Sequence, residues 1–146
     1  MFGLYMLVSL ETLIGYADGA RRSTLNLSSA TWDIFSLNGE LVSRQGIFIG
    51  HSNNNINGYR IVVELLSYAI THGIHCLVIR IDSQLVVLQL SSVYLVRSPT
   101  ILCMVLRVFL LERDFDFIQY ENISKNLKTL IDGLANHVLD KHLQLI

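Results

Sequence analysis

The chain has 146 residues, a formal net charge of −1, 51% hydrophobic and 16% charged residues, and a mean hydropathy of +0.45. That length suits one domain with a single core, and the apolar content excludes a disordered chain. The near-zero charge leaves a local patch, not the whole surface, to meet any nucleic acid. No run reaches the roughly 18 uninterrupted apolar residues of a membrane helix, and the longest candidate, Ile101 to Leu111, is broken by Arg107.

Met1 to Leu10 is apolar but lacks a basic start and a small-residue cleavage site. It reads as an N-terminal strand or the start of a longer parent protein rather than a signal peptide. Thr12 to Ala17 reads as a strand ending on Asp18-Gly19-Ala20, and polar Arg21 to Ser29 as a turn. Ala30 to Leu37 and Glu40 to Ile49 read as two strands about Asn38-Gly39, a hairpin signal because both residues tolerate positive φ. The chain therefore opens with a three-stranded antiparallel meander.

His51 to Asn55 is a polar loop, and a helix follows to about Thr71 with Tyr59, Val62, Val63, Leu66 and Ile70 on one face. His72-Gly73 closes it. Cys76 to Ile81 is a strand apolar on both faces except at Arg80, as expected in the middle of a covered sheet. Ser83 to Leu90 is a short helix. Ser98-Pro99 starts another, Ser as N-cap and Pro in the first turn, that runs to Arg113. Phe115 to Ile123 is the last strand, and a final helix spans about Leu127 to Leu143. The two cysteines, Cys76 and Cys103, lack metal-ligand spacing and read as buried free thiols. The five histidines also lack it, and read as surface or helix-end residues.

The order β-β-β-α-β-α-α-β-α makes one mixed α/β domain, in which sites form beyond strand ends. Asp18 ends the first strand, Asp82 ends the fourth, and Asp132 lies in the last helix beside small Gly133 and Ala135. Three converging carboxylates make a hard-oxygen site for Mg²⁺ or Mn²⁺, the ions that assist phosphodiester hydrolysis. A small-molecule phosphate binder is disfavoured because no Gly-rich phosphate loop is present.

Tyr16-Ala17-Asp18-Gly19-Ala20, Asn54-Asn55 before Tyr59, Ile81-Asp82-Ser83-Gln84-Leu85-Val86-Val87, and Ile131-Asp132-Gly133-Leu134-Ala135-Asn136 occur in this order. The series resembles the ribonuclease H family, and is most similar to the reverse-transcriptase-associated ribonuclease H domains of plant retroelements. The resemblance covers Ile14 to His142 and takes residues 1–146 as a single domain. It implies an α/β ribonuclease H-like fold: a mixed five-stranded sheet, three antiparallel strands then two more, flanked by helices. It also implies cleavage of the RNA strand of RNA–DNA hybrids by two divalent ions held by four acidic residues. Asp18, Asp82 and Asp132 match three of these as catalytic and metal-binding residues.

The fourth carboxylate of the family, a Glu directly before Tyr, falls on Gly58. Glu64 does not replace it, since six residues on it points roughly 120° around the helix and about 9 Å along it. Asn57 has an amide oxygen but no charge, and is expected to face elsewhere. Three carboxylates set about −3 against +4 from two ions, so one ion is expected to be held better than a second. Asn122 stands where the family often has His, Ser124-Lys125 where Pro-Arg commonly follows, and Ser23 to Leu27 where a Gly-rich turn is usual. These departures imply impaired catalysis, with a silent module binding nucleic acid or protein as the alternative. Arg21, Arg22 and Asn53 to Asn55 are candidates for phosphate or sugar contacts, and Gln84 for a sugar hydroxyl. The implied partner is an RNA–DNA hybrid or other nucleic acid, with no membrane. The chain is expected to be intracellular, in cytoplasm or nucleus, either as a monomer or within a retroelement-derived polyprotein.

Overall fold

The computed structural model describes residues 12–22, 27–51, 54–91 and 96–123. Strands β1 (Leu13–Arg22), β2 (Leu27–Ser36) and β3 (Leu41–His51) form the meander, followed by helix α1 (Asn54–Thr71) and strand β4 (Cys76–Ile81). Helices α2 (Gln84–Leu90) and α3 (Pro99–Glu112) then lead to strand β5 (Phe117–Asn122). The sheet has the order β3-β2-β1-β4-β5, antiparallel across the meander and parallel from β1 through β4 to β5. This is the expected mixed five-stranded sheet. The expected N-terminal strand and final helix, with Asp132, lie outside the described residues.

Local chemistry sets several boundaries where expected. Gly39, at φ +87°, turns β2 into β3, and Gly73, at φ +72°, ends α1. Ser83 and Ser98 cap α2 and α3, each side-chain oxygen accepting a backbone N–H three residues on. The expected turn at Arg21 to Ser29 is corrected. β1 continues to Arg22 and β2 starts at Leu27, because the β1–β2 ladder pairs unbroken from Leu13↔Ser36 to Arg22↔Leu27. Ser28 and Ser29 are fully buried within it, so ladder pairing overrides the polar composition. The last strand begins at Phe117 rather than Phe115.

The core lies between the sheet and α1, which α3 covers in turn. Tyr59, Val62, Val63 and Leu66 are buried as expected, while Ile70 is half-buried. Ile61, Leu65 and Ala69 are buried too, because a helix packed on two sides hides more than one stripe. Cys76 is buried but Cys103 is exposed, correcting the expectation of two buried thiols. Cys103 shares the outer face of α3 with exposed Leu102, Leu106 and Leu110. At the sheet edge, Tyr120 donates its hydroxyl to Glu112 at 2.9 Å. Burial raises both pKa values, with the Glu112 charge adding to the rise at Tyr120.

Glycine at position 19 is fixed by packing. A Cβ there would stand 2.4 Å from Ile61 Cδ1, 2.9 Å from Asn57 Nδ2 and 3.1 Å from the Ser29 carbonyl oxygen. The carbonyl belongs to the neighbouring strand and cannot swing aside. Gly19→Ala is therefore expected to destabilise the fold by about 1–3 kcal/mol, read as a lower denaturation midpoint in urea with an unchanged slope. An unchanged midpoint would show that α1 does not seat this closely on β1.

Candidate active site

β1 and β4 pair in parallel only from Leu13↔Leu77 to Tyr16↔Arg80. Beyond Tyr16, β1 continues along β2 while β4 stops at Ile81, and the sheet parts. Arg80 closes the last shared rung, its Nη1 donating to the Tyr16 hydroxyl at 2.6 Å and its Nε to Glu121 at 2.9 Å. A cavity of about 630 Å³ opens at the parting, past the end of β4 and alongside Asp18 and Gly19. Both lie within β1, because pairing with β2 carries that strand on to Arg22, so Asp18 does not end the first strand as expected. Asp18 and Gly19 of β1 line the cavity, with Ile56 to Tyr59 and Ile61 of α1. Asp82, Ser83, Leu85, Val86 and Gln89 at α2, and Ser98, Thr100 and Ile101 at α3, complete the wall.

Asp18 is only 8% exposed, and its Oδ2 has no hydrogen-bond partner. Asp82, in contrast, is solvent-exposed at the rim. Among the described residues, seven buried side-chain nitrogen or oxygen atoms have no partner. Four of them, Asp18 Oδ2, Asn57 Oδ1, the Tyr59 hydroxyl and Gln89 Oε1, belong to residues lining this cavity. Each unpaired buried polar group costs about 1–3 kcal/mol unless water or a bound group meets it, and here such groups gather around one cavity. Burial alone raises the Tyr59 pKa, keeping its phenol neutral.

The structure thus brings Asp18, Asp82 and position 58 onto one wall. Gly58 contributes no side chain, and a Cβ there would stand 2.9 Å from Val86 Cγ2. Glu64 lies elsewhere, in a groove with Trp32, Gln45 and Tyr68. Asn57 was expected to face away, but it lines the cavity and is 8% exposed. Gln84 is exposed at the first position of α2 and is not part of the wall; Gln89, one and a half turns on, is. Asn54 and Asn55 are the first two residues of α1, and Arg21 is the ninth residue of β1. Asn122, where the family often has His, pairs with Ile81 beside the end of β4 and is exposed. The sequence reading missed Tyr59, Val86, Gln89, Ser98 and Thr100 as wall residues.

Among the described residues, no group of three His, Cys, Asp or Glu side chains comes together. The donors that do line the cavity are oxygens, two carboxylates with amide and hydroxyl groups. Oxygen donors of this kind fit a hard cation such as Mg²⁺ or Mn²⁺ and not a thiophilic one. Asp18 and Asp82 are the charged residues able to hold it.

No protein-family model matches the chain. Over 125 residues it is 30% identical to ribonuclease HI of Halobacterium salinarum, covering 86% of this chain and 63% of that protein. Over 92 residues it is 33% identical to a bifunctional protein of Mycobacterium tuberculosis, covering 63% of this chain and 25% of that protein. The chain therefore spans less than two thirds of either relative. The crystal structure of RNase H1 from H. salinarum superposes with a TM-score of 0.82 at 28% identity, covering 89% of this chain and 98% of that one. LC11-RNase H1, solved in complex with an RNA/DNA hybrid, superposes with a TM-score of 0.80 at 23% identity, covering 90% of this chain and 99% of that one, and so shares the fold. Sequence and architecture converge on the same relatives, and the chain belongs to the ribonuclease H family.

Proposed function

We propose that this domain binds RNA–DNA hybrids and hydrolyses their RNA strand only feebly, because its metal site lacks the carboxylate expected at position 58. The observation that carries this reading is one cavity wall: a buried, unpaired Asp18 oxygen, Asp82 at the rim, and Gly58 between them in the set. LC11-RNase H1, bound to an RNA/DNA hybrid in its crystal structure, supports the choice of ligand. A divalent ion, Mg²⁺ or Mn²⁺, would supply charge stabilisation and water activation at the scissile phosphate. Asp18 and Asp82 would hold it, with Asp132 as the third carboxylate. Arg21, Asn54, Asn55 and Gln84 would grip the phosphates and sugars of the hybrid. On this reading residues 1–146 form one domain of retroelement origin that acts inside the cell.

A silent binding module is the second reading, and Val86 favours it. A Cβ at position 58 would stand 2.9 Å from its Cγ2, so a side chain there would have to displace Val86. The first reading requires hybrid binding, and so does the silent module unless its partner is a protein. Fluorescence anisotropy with a labelled hybrid is expected to show binding without metal that weakens steeply with salt, with a log–log slope of about −0.7 to −0.9 per phosphate contact. No binding at low salt would overturn the proposal and leave a protein-interaction role.

A further inference from the structure

We infer that Asn57 is a ligand of the metal site, its side-chain oxygen taking up part of the coordination that a carboxylate at position 58 would supply. This rests on the reading that Asp18 and Asp82 hold a divalent ion. Asn57 lies in the first turns of α1, lines the cavity and is more than nine-tenths buried. Its Oδ1 has no hydrogen-bond partner. Its Nδ2 is packed 2.9 Å from where a Cβ on residue 19 would stand, beside the residue that follows Asp18. Asn57 therefore packs against β1 beside Gly19 and lines the same cavity as Asp18, whose Oδ2 is also unpaired.

Asn is a poorer helix former than Ala, and a buried unpaired amide oxygen is unfavourable unless something binds it. An amide oxygen is a ready ligand for Mg²⁺ or Mn²⁺. Being neutral, it adds a donor to the set without adding to the charge that the carboxylates supply. The chain would then have moved one donor by one residue, from position 58 to position 57, exchanging a charged ligand for an uncharged one. The consequence is a single-ion site that orders the cavity without the charge needed to hold two ions.

Mn²⁺ binding to the full chain without nucleic acid, followed by electron paramagnetic resonance, tests this. Asn57→Ala is expected to weaken Mn²⁺ binding about tenfold, and near-isosteric Asn57→Asp to tighten it about tenfold. Thermal melts give a second readout. Asn57→Asp should melt lower than the natural chain without metal and regain stability as Mn²⁺ is added, whereas Asn57→Ala should gain little from Mn²⁺. If the natural chain binds Mn²⁺ and neither substitution changes the affinity by more than about twofold, Asn57 is not a ligand and the Asp18–Asp82 reading stands. If the natural chain binds no Mn²⁺ and titrates like Asp82→Asn, both readings fall.

Discussion

Restoring a carboxylate at position 58 is expected to raise hybrid cleavage by about a hundredfold, but only when Val86 is shortened at the same time. Losing one preorganised charge-stabilising group commonly costs about 10²–10³ in rate, so returning it should recover much of that factor. Gly58→Glu alone meets a steric obstacle, because its Cβ would stand 2.9 Å from Val86 Cγ2. Val is β-branched and rotates away poorly, and forcing extra atoms into a packed wall costs about 1–3 kcal/mol. Replacing a helical glycine returns about 0.5–1 kcal/mol, which offsets part of this. Single-turnover cleavage by Gly58→Glu, Val86→Ala and the double variant should therefore be non-additive, with most of the gain in the double variant. A double variant no faster than Val86→Ala would mean that position 58 is not where the site lost its power.

Asp18→Asn is expected to separate stability from metal binding. Asp18 is buried, only 8% exposed, and its Oδ2 has no partner. An unpaired buried charge is costlier than an unpaired neutral amide. The substitution should therefore stabilise the metal-free protein by about 1–3 kcal/mol, roughly 2–4 °C in Tm for each kcal/mol. The same change removes half of the charge that Asp18 and Asp82 offer a cation, so Mn²⁺ affinity should fall by about a hundredfold or more. Paired melts with and without Mn²⁺ read both effects. A variant that melts lower in metal-free buffer would show that the carboxylate serves the fold, not a ligand.

The sequence made legible those features that depend on local chemistry. β4 is continuous and apolar, Gly73 ends α1, and Ser83 and Ser98 cap the helices they precede. The order of elements then brought Asp18 and Asp82 to neighbouring strands, and both line one cavity, although Asp18 lies within β1 and not at its end as expected. Features settled by tertiary pairing were not legible. Arg21 to Ser29 has a turn's composition, but a ladder against β1 holds Ser28 and Ser29 buried in strand. Cys103 sits in an apolar stretch yet faces outward on α3, since periodicity does not say which side of an apolar helix is covered.

Within the site, Gly58 was legible because a motif fixed its position. Asn57 was not, because its role depends on the close seating of α1 at Gly19, where no Cβ intervenes. Gln84 and Gln89 exchange places for a similar reason. Gln84, two residues after the motif aspartate, is exposed, and Gln89, about a turn and a half later, lines the wall.

The most direct test of an incomplete metal site is single-turnover cleavage of a labelled RNA–DNA hybrid in Mg²⁺ and in Mn²⁺, comparing the natural chain with Asp82→Asn. The account predicts that the natural chain binds the hybrid but cleaves it barely above the metal-free background, with Asp82→Asn close behind. Robust cleavage by the natural chain that Asp82→Asn abolishes would contradict it, and would show that Asp18, Asp82 and their neighbours suffice without a carboxylate at position 58.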